Sequence, residues 1–144
     1  MEVYRHTVQY YETDRMGITH HSNYIRWMEE ARVDFQRQLG WSYERLEAEG
    51  VVSPVTALAC KYKASTTFAD VITVEVSVAE LKNATMKIAY VMQKQDGQTV
   101  FEGFSEHCFL NSEGKILRLR RDLPGFFAAL EQQTVACRSA KDAL

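Results

Sequence analysis

Tyr24-Ile25-Arg26-Trp27-Met28-Glu29-Glu30-Ala31-Arg32-Val33-Asp34-Phe35-Gln36-Arg37-Gln38-Leu39-Gly40 is the stretch on which the fold turns. Tyr24, Trp27, Met28, Ala31, Phe35 and Leu39 recur at steps of three and four, so they line one face of a helix that Gly40 stops. Ser22 or Asn23 is expected to supply its N-cap. Arg26, Glu29, Arg32 and Asp34 read as the solvated face, with Glu29 and Arg32 spaced so that their side chains can meet. An apolar stripe of this length needs an apolar surface to cover it, and the flanking sequence offers strands.

Upstream, Val3 to Tyr11 mixes β-branched and aromatic residues with polar ones and predicts a first strand. Downstream, Trp41 to Gly50 is polar and helix-prone, a short second helix or turn. Four strand-like runs follow, beginning with Val55 to Lys63. Val71 to Ala79 alternates, with Ile72, Val74, Val76 and Val78 on one face and Thr73, Glu75 and Ser77 on the other. Met86, Ile88, Tyr90 and Met92 repeat the pattern, and Asp96-Gly97 predicts a hairpin into the run Thr99 to Leu110. Asn83 and Asn111-Ser112-Glu113-Gly114 mark further turns, and Leu123 to Leu130, with Pro124 in its first turn, predicts a terminal helix. One apolar-faced helix beside a mainly antiparallel sheet gives an α+β layer, read as a single domain over 1–144. The sheet edges then need polar residues or a partner, which favours association with a second copy.

The chain has 144 residues with 17 Lys and Arg against 19 Asp and Glu, and a net charge of -2. No segment gathers the cations into a stripe, which argues against a nucleic-acid partner. No apolar stretch approaches the roughly 20 residues that cross a bilayer, and the N-terminal residues lack a secretory pattern. A cytoplasmic protein without an integral membrane segment is expected. Cys60, Cys108 and Cys137 are odd in number and in no metal-binding spacing, so reduced thiols are expected, the first two as small buried hydrophobes and Cys137 exposed.

Chemistry concentrates in Glu12-Thr13-Asp14-Arg15-Met16-Gly17-Ile18-Thr19-His20-His21-Ser22-Asn23, a loop with no regular period just before the helix. Unpaired N–H groups at a helix start can stabilise an oxyanion developing on a carbonyl, and Asp14 on the same loop could be base or nucleophile. Asp14 and Gly17 could equally just shape a turn. Adjacent His20 and His21 point to opposite sides in extended chain and lack a third ligand at a diagnostic spacing, so no metal is expected. His107 reads as a hydrogen-bonded strand histidine, with a role as base the weaker reading. No GxSxG elbow, HExxH motif, Walker loop or GxGxxG fingerprint occurs.

Tyr10-Tyr11-Glu12-Thr13-Asp14-Arg15-Met16-Gly17-Ile18-Thr19-His20-His21-Ser22-Asn23-Tyr24, followed by Trp27 and Glu30-Ala31-Arg32, resembles the signature of hotdog-fold acyl-CoA thioesterases, the 4-hydroxybenzoyl-CoA thioesterase and YbgC-like group. A looser likeness runs through Pro54-Val55, Lys61-Tyr62-Lys63, the Val71 to Val78 strand, Gly103 to Phe109 and Leu119 to Pro124. The resemblance implies a curved antiparallel sheet wrapped around the long helix, two copies joined edge to edge and often paired again into a homotetramer, and an active site between subunits. It implies that Asp14 is the catalytic aspartate and that His21 holds the position occupied by histidine in the YbgC-like branch and by tyrosine in the 4-hydroxybenzoyl branch, near the backbone N–H that polarises the thioester carbonyl. Met16 before Gly17 and Thr13 before Asp14 depart from the common pattern near the substrate loop.

The activity so implied is hydrolysis of an acyl-CoA to free CoA and a carboxylic acid, with Asp14 as general base or nucleophile and no cofactor. CoA phosphates call for cations, and Lys61, Lys63, Arg118, Arg120 and Arg121 are the candidates. Tyr24, with Trp27 and Met28, is expected in the pocket wall. Two alternatives share the loop: release of acyl groups from acyl-carrier protein, and a hotdog module that binds acyl thioesters without cleaving them.

Overall fold

In the computed structural model, which describes residues 1–134, the helical stripe becomes α1 (Ser22–Gln38), with Tyr24, Trp27, Met28, Ala31 and Phe35 buried. The strands are β1 (Tyr4–Thr7), β2 (Val55–Tyr62), β3 (Val71–Leu81), β4 (Thr85–Lys94) and β5 (Thr99–Cys108). They form one antiparallel sheet in the order β1-β3-β4-β5-β2 that wraps α1. Ile72, Val74 and Val78 of β3, Met86, Ile88, Tyr90 and Met92 of β4, and Phe101 of β5 join the α1 stripe in one buried cluster. Each such apolar side chain removed from water contributes about 1.5–3 kcal/mol, which is why the alternation read in β3 and β4 fixes their inner face. The Asp96-Gly97 hairpin forms as expected: Gly97 has φ +87° and its N–H donates to the Lys94 carbonyl at 2.9 Å.

Several boundaries differ from the reading of the sequence. The first strand stops at Thr7, and the chain turns through a 3-10 segment at Tyr10–Glu12, because the Glu12 carboxylate reaches back to accept the Gln9 N–H. After α2 (Tyr43–Ala48) and β5, an additional helical turn, α3 (Leu119–Asp122), precedes α4 (Pro124–Glu131). Its first turn is held by Asp122 Oδ2, which accepts the Arg118 N–H at 2.8 Å. Cys60 and Cys108 are half-buried rather than buried; the expectation for Cys137 lies outside the described residues.

Arg32 is the largest correction. It is not on a solvated face but 5% exposed, donating from Nε to the Tyr43 hydroxyl at 2.7 Å and from Nη1 to the Tyr90 hydroxyl at 2.9 Å. Tyr90 continues to Ser105 Oγ at 2.6 Å, and Ser105 to His107 Nε2 at 2.7 Å. Arg32, Tyr90, Ser105 and His107, from three elements, thus form a buried polar chain. A guanidinium costs far less to bury when hydroxyl oxygens replace its water, which is what Tyr43 and Tyr90 supply.

β2 closes the sheet on one side and, among the described residues, pairs only with β5. Val55, Leu58 and Tyr62 are 50%, 44% and 48% exposed along it. A long, apolar strand edge of this kind is a template for pairing with another strand.

Candidate active site

The loop between the 3-10 turn and α1 is a small hairpin. The Asp14 N–H donates to the Ile18 carbonyl at 2.8 Å, Thr13 bridges Thr19, and the His20 N–H returns to the Glu12 carbonyl at 2.8 Å. Its tip is an Asp14-to-Gly17 turn in which the Gly17 N–H donates to the Asp14 carbonyl and Gly17 takes φ +81°. The Thr19 N–H to Thr66 carbonyl bond (2.8 Å) and the Thr67 hydroxyl to Gly17 carbonyl bond (2.7 Å) pin the hairpin to the segment before β3.

Within this turn Asp14 has the geometry of a turn-shaping residue. Oδ1 accepts the Met16 N–H at 2.8 Å, the bond of a turn-shaping aspartate. Oδ2 has no partner among the described residues, so the carboxylate is oriented by one oxygen and free at the other.

The start of α1 corrects the expected cap. His21, already helical at φ -55°, ψ -28°, occupies the N-cap position, and its side chain makes no capping bond. Ser22 and Asn23 lie inside the first turn. Capping comes from His20, whose Nδ1 accepts the Ser22 N–H at 3.2 Å and lies 2.8 Å from Ser22 Oγ, and whose carbonyl accepts the Asn23 N–H at 3.0 Å. The Asn23 side chain is instead spent on the Glu12 carbonyl at 2.8 Å. Among the described residues no acceptor pairs with the His21 N–H, which leaves one oriented backbone donor at the positive end of α1. The His21 ring is exposed and packs against His20 at 4.3 Å and edge-on to Tyr62 at 6.3 Å.

A cavity of about 370 Å³ opens here, lined by Ile18, Thr19, His21, Tyr24, Tyr62, Lys63, Ala64 and Ser65. Asp14 borders it through its bond to Ile18 rather than lining it. Tyr24 stacks on Phe101 at 5.2 Å, and Tyr62 stands edge-on to both rings. The Tyr62 hydroxyl donates to the His21 carbonyl at 3.2 Å, and that of Tyr24 meets Thr66 Oγ1 at 2.9 Å. Burial raises the pKa of Tyr24, and burial together with Cys60 pushes Tyr62 up to about 12, so both rings act as neutral walls and donors. Trp27 and Met28 lie beneath this wall in the core instead of lining the cavity.

Of the predicted cations, Lys63, just past the end of β2, lines the cavity and pairs with Glu102 at 3.0 Å, while Lys61 lies on β2 and is not part of the lining. Arg118, Arg120 and Arg121 are not brought there. The Leu119 N–H bond to the Asn83 carbonyl ties α3 to the β3–β4 turn, the opposite end of the sheet from the Asp14 hairpin. Arg120 lies over the Phe127 ring and Arg121 pairs with Asp122. His107 is fully buried in the Arg32 chain, away from solvent; burial, then the Arg32 charge, pushes its pKa down to about 4. Its Nδ1 has no hydrogen bond of good geometry, only a weaker contact with the Ser53 backbone. Among the described residues no three His, Cys, Asp or Glu side chains gather to hold a metal, and no helix is long and apolar enough to cross a membrane.

Sequence reasoning passed over Glu12, the most connected carboxylate of the region, since its partners His6 and Trp27 come from β1 and α1.

The sequence pattern of the Thioesterase-like superfamily matches residues 8–135, a span that holds the Asp14 hairpin, α1 and the whole of β2 to β5. The chain belongs to that family. An Aquifex aeolicus protein provisionally named an esterase is 36% identical over 121 residues, spanning 84% of this chain and 93% of its own length. A Bacillus subtilis protein, YneP, provisionally named an acyl-CoA thioesterase, is 29% identical over 126 residues, 87% of this chain and 91% of its own. The crystal structure of DHNA-CoA thioesterase from Staphylococcus aureus superposes with a TM-score of 0.85 at 30% identity, covering 90% of this chain and 88% of that one. The fold is therefore the hotdog fold of these thioesterases, a sheet wrapped around a helix, and the chain is a thioester hydrolase.

Proposed function

We propose that the protein hydrolyses acyl-CoA thioesters, with Asp14 as general base or nucleophile and the His21 N–H as oxyanion donor. The observation that carries this reading is their shared hairpin: a carboxylate with one oxygen fixed and one free, and an unspent amide at the start of α1. In the general-base form, Asp14 takes a proton from water as the hydroxide oxygen bonds to the thioester carbon. The carbonyl oxygen becomes an oxyanion held by the His21 N–H. Collapse breaks the C–S bond, and the CoA thiolate leaves and is reprotonated, giving free CoA and a carboxylic acid. In the nucleophilic form the Asp14 oxygen bonds first, CoA thiolate leaves, and water resolves the mixed anhydride.

The exposed β2 edge supports a dimer built by pairing β2 with its copy, and a dimer of such dimers is compatible with it. Antiparallel pairing about the strand centre would set the partner subunit's β2 start beside Tyr62 and Lys63, closing the open side of the cavity. Lys61 and Lys63 are then the cations within reach of CoA phosphate. The chemistry lies in solvent-facing side chains and is consistent with a cytoplasmic enzyme that uses no cofactor.

The test is CoA release, followed with a thiol reagent, over short, long, branched and aromatic acyl-CoAs, with acyl-carrier-protein thioesters in parallel. Turnover of at least one acyl-CoA above the carrier-protein substrates is expected. Tight acyl-CoA binding with no turnover across the set would reject the reading in favour of a binding module.

A further inference from the structure

Glu12 is 6% exposed, and both of its carboxylate oxygens are hydrogen-bonded. Oε1 accepts the Gln9 N–H at 2.8 Å and faces His6 Nε2 at 2.7 Å, while Oε2 accepts the Trp27 indole N–H at 2.8 Å. His6 also approaches Glu30 at 3.5 Å and packs on the Trp27 ring at 4.8 Å. Burial would raise the Glu12 pKa, but the Gln9 amide, His6 and Trp27 outweigh it and hold the carboxyl below its ordinary range, so it is an anion at neutral pH. The Glu12 main chain is equally committed: its carbonyl accepts both the His20 N–H and the Asn23 side-chain amide, each at 2.8 Å.

These contacts converge on the two groups of the proposed reaction. Asp14 follows Glu12 by two residues on the outgoing strand of the hairpin. His21, the oxyanion donor, follows His20, the residue whose N–H Glu12 holds on the returning strand. Trp27, held by the carboxylate, lies in the second turn of α1, and Asn23, held by the carbonyl, in its first. A single residue therefore ties the hairpin that displays Asp14 to the helix that displays the His21 amide, through three elements at once. No other bond among the described residues spans from the Glu12–Asp14 strand to the second turn of α1.

We propose that Glu12 is a positioning residue for the hydrolysis: its side chain and carbonyl together fix the separation between the Asp14 carboxylate and the His21 N–H. This rests on the assignment of Asp14 above. Glu12 does not touch substrate. It acts through Asp14, and misplacing a reacting group by about 1 Å can cost 10²-fold in rate.

The experiment is a cycle of Glu12→Gln and Asp14→Asn, each measured for kcat and KM on the best acyl-CoA and for thermal midpoint. Gln keeps the shape and the bond from Trp27 but sets an amide N–H₂ against a donor. Trp27→Phe, which keeps the ring and removes only the indole N–H, is the second variant in case Glu12→Gln does not fold. Loss of kcat by roughly 10- to 100-fold with KM held is expected from either variant, shrinking to less than about twofold in the Asp14→Asn background, because the group Glu12 positions is already gone. Unchanged kcat, or the same fold loss in both backgrounds, would make Glu12 a structural residue only and overturn the proposal. Unchanged kcat in Asp14→Asn alone is a separate result that removes the Asp14 assignment itself.

Discussion

Tyr90→Phe removes one oxygen from the middle of the buried chain that begins at Arg32. Two bonds go with it, the one Arg32 Nη1 donates at 2.9 Å and the one shared with Ser105 at 2.6 Å, and the ring and its packing stay. A hydrogen bond to a charged group contributes about 1.5–3 kcal/mol and a neutral one about 0.5–1.5, and here water cannot replace either, so the loss is on the order of 2–4 kcal/mol. With about 2.1 cal/mol/K of unfolding entropy per residue, a chain of 144 residues loses about 3 °C of Tm per kcal/mol, and Tyr90→Phe should fall by about 7–13 °C. The assay is thermal unfolding by circular dichroism at one protein concentration and pH 7, repeated in an Arg32→Met background. There the guanidinium no longer needs the hydroxyl, and the Tyr90→Phe penalty should shrink to about 1 kcal/mol, the Ser105 bond alone. A shift under about 2 °C in the parent, or an equal shift in both backgrounds, would refute the view that Tyr90 is what allows Arg32 to be buried.

The fully buried His107 gives an acid-sensitive term. Its folded pKa of about 4 lies below the unfolded value of 6.5, so its stabilising contribution is complete above pH 6.5 and is lost as pH falls toward 4. By pH 5 that is about 2 kcal/mol; Tm measured at pH 7 and pH 5 should fall in parallel, and His107→Gln should remove most of the difference, whereas an unchanged slope would count against it. On the β2 edge, Leu58→Lys sets a charge where two strands would pair. Sedimentation velocity should show the parent as a dimer or larger and the variant shifted to monomer with weakened CoA release; a monomeric parent with full activity would count against the shared site.

The parts of the fold legible in the sequence are those held by local period. The α1 stripe and the inner faces of β3 and β4 follow from which residues must leave water, and Asp96-Gly97 announces its own turn. The strand order β1-β3-β4-β5-β2 is set by pairings between distant segments and left no trace in any one of them. Arg32 was misread for the same reason: a helical wheel shows a charge beside Met28 and Ala31, while the hydroxyls that make its burial tolerable come from α2 and β4. In the candidate site, the turn at Asp14 to Gly17 and the start of the helix are legible because turn residues and a helix boundary are local signals. The cap was not, since Ser22 has the stronger preference and only the hairpin geometry brings the His20 ring over its N–H. Nor was Glu12, whose carboxylate is defined by His6 and Trp27 across the core.

The central claim is that a carboxylate on the hairpin before α1 drives thioester cleavage. Its most direct measurement is kcat for CoA release by Asp14→Asn at saturating acyl-CoA. The substitution keeps the Oδ1 bond to the Met16 N–H and removes only the basic, nucleophilic oxygen. A fall of about 10²–10⁴-fold with Tm unchanged is the predicted result; turnover at the parent's rate would contradict the account.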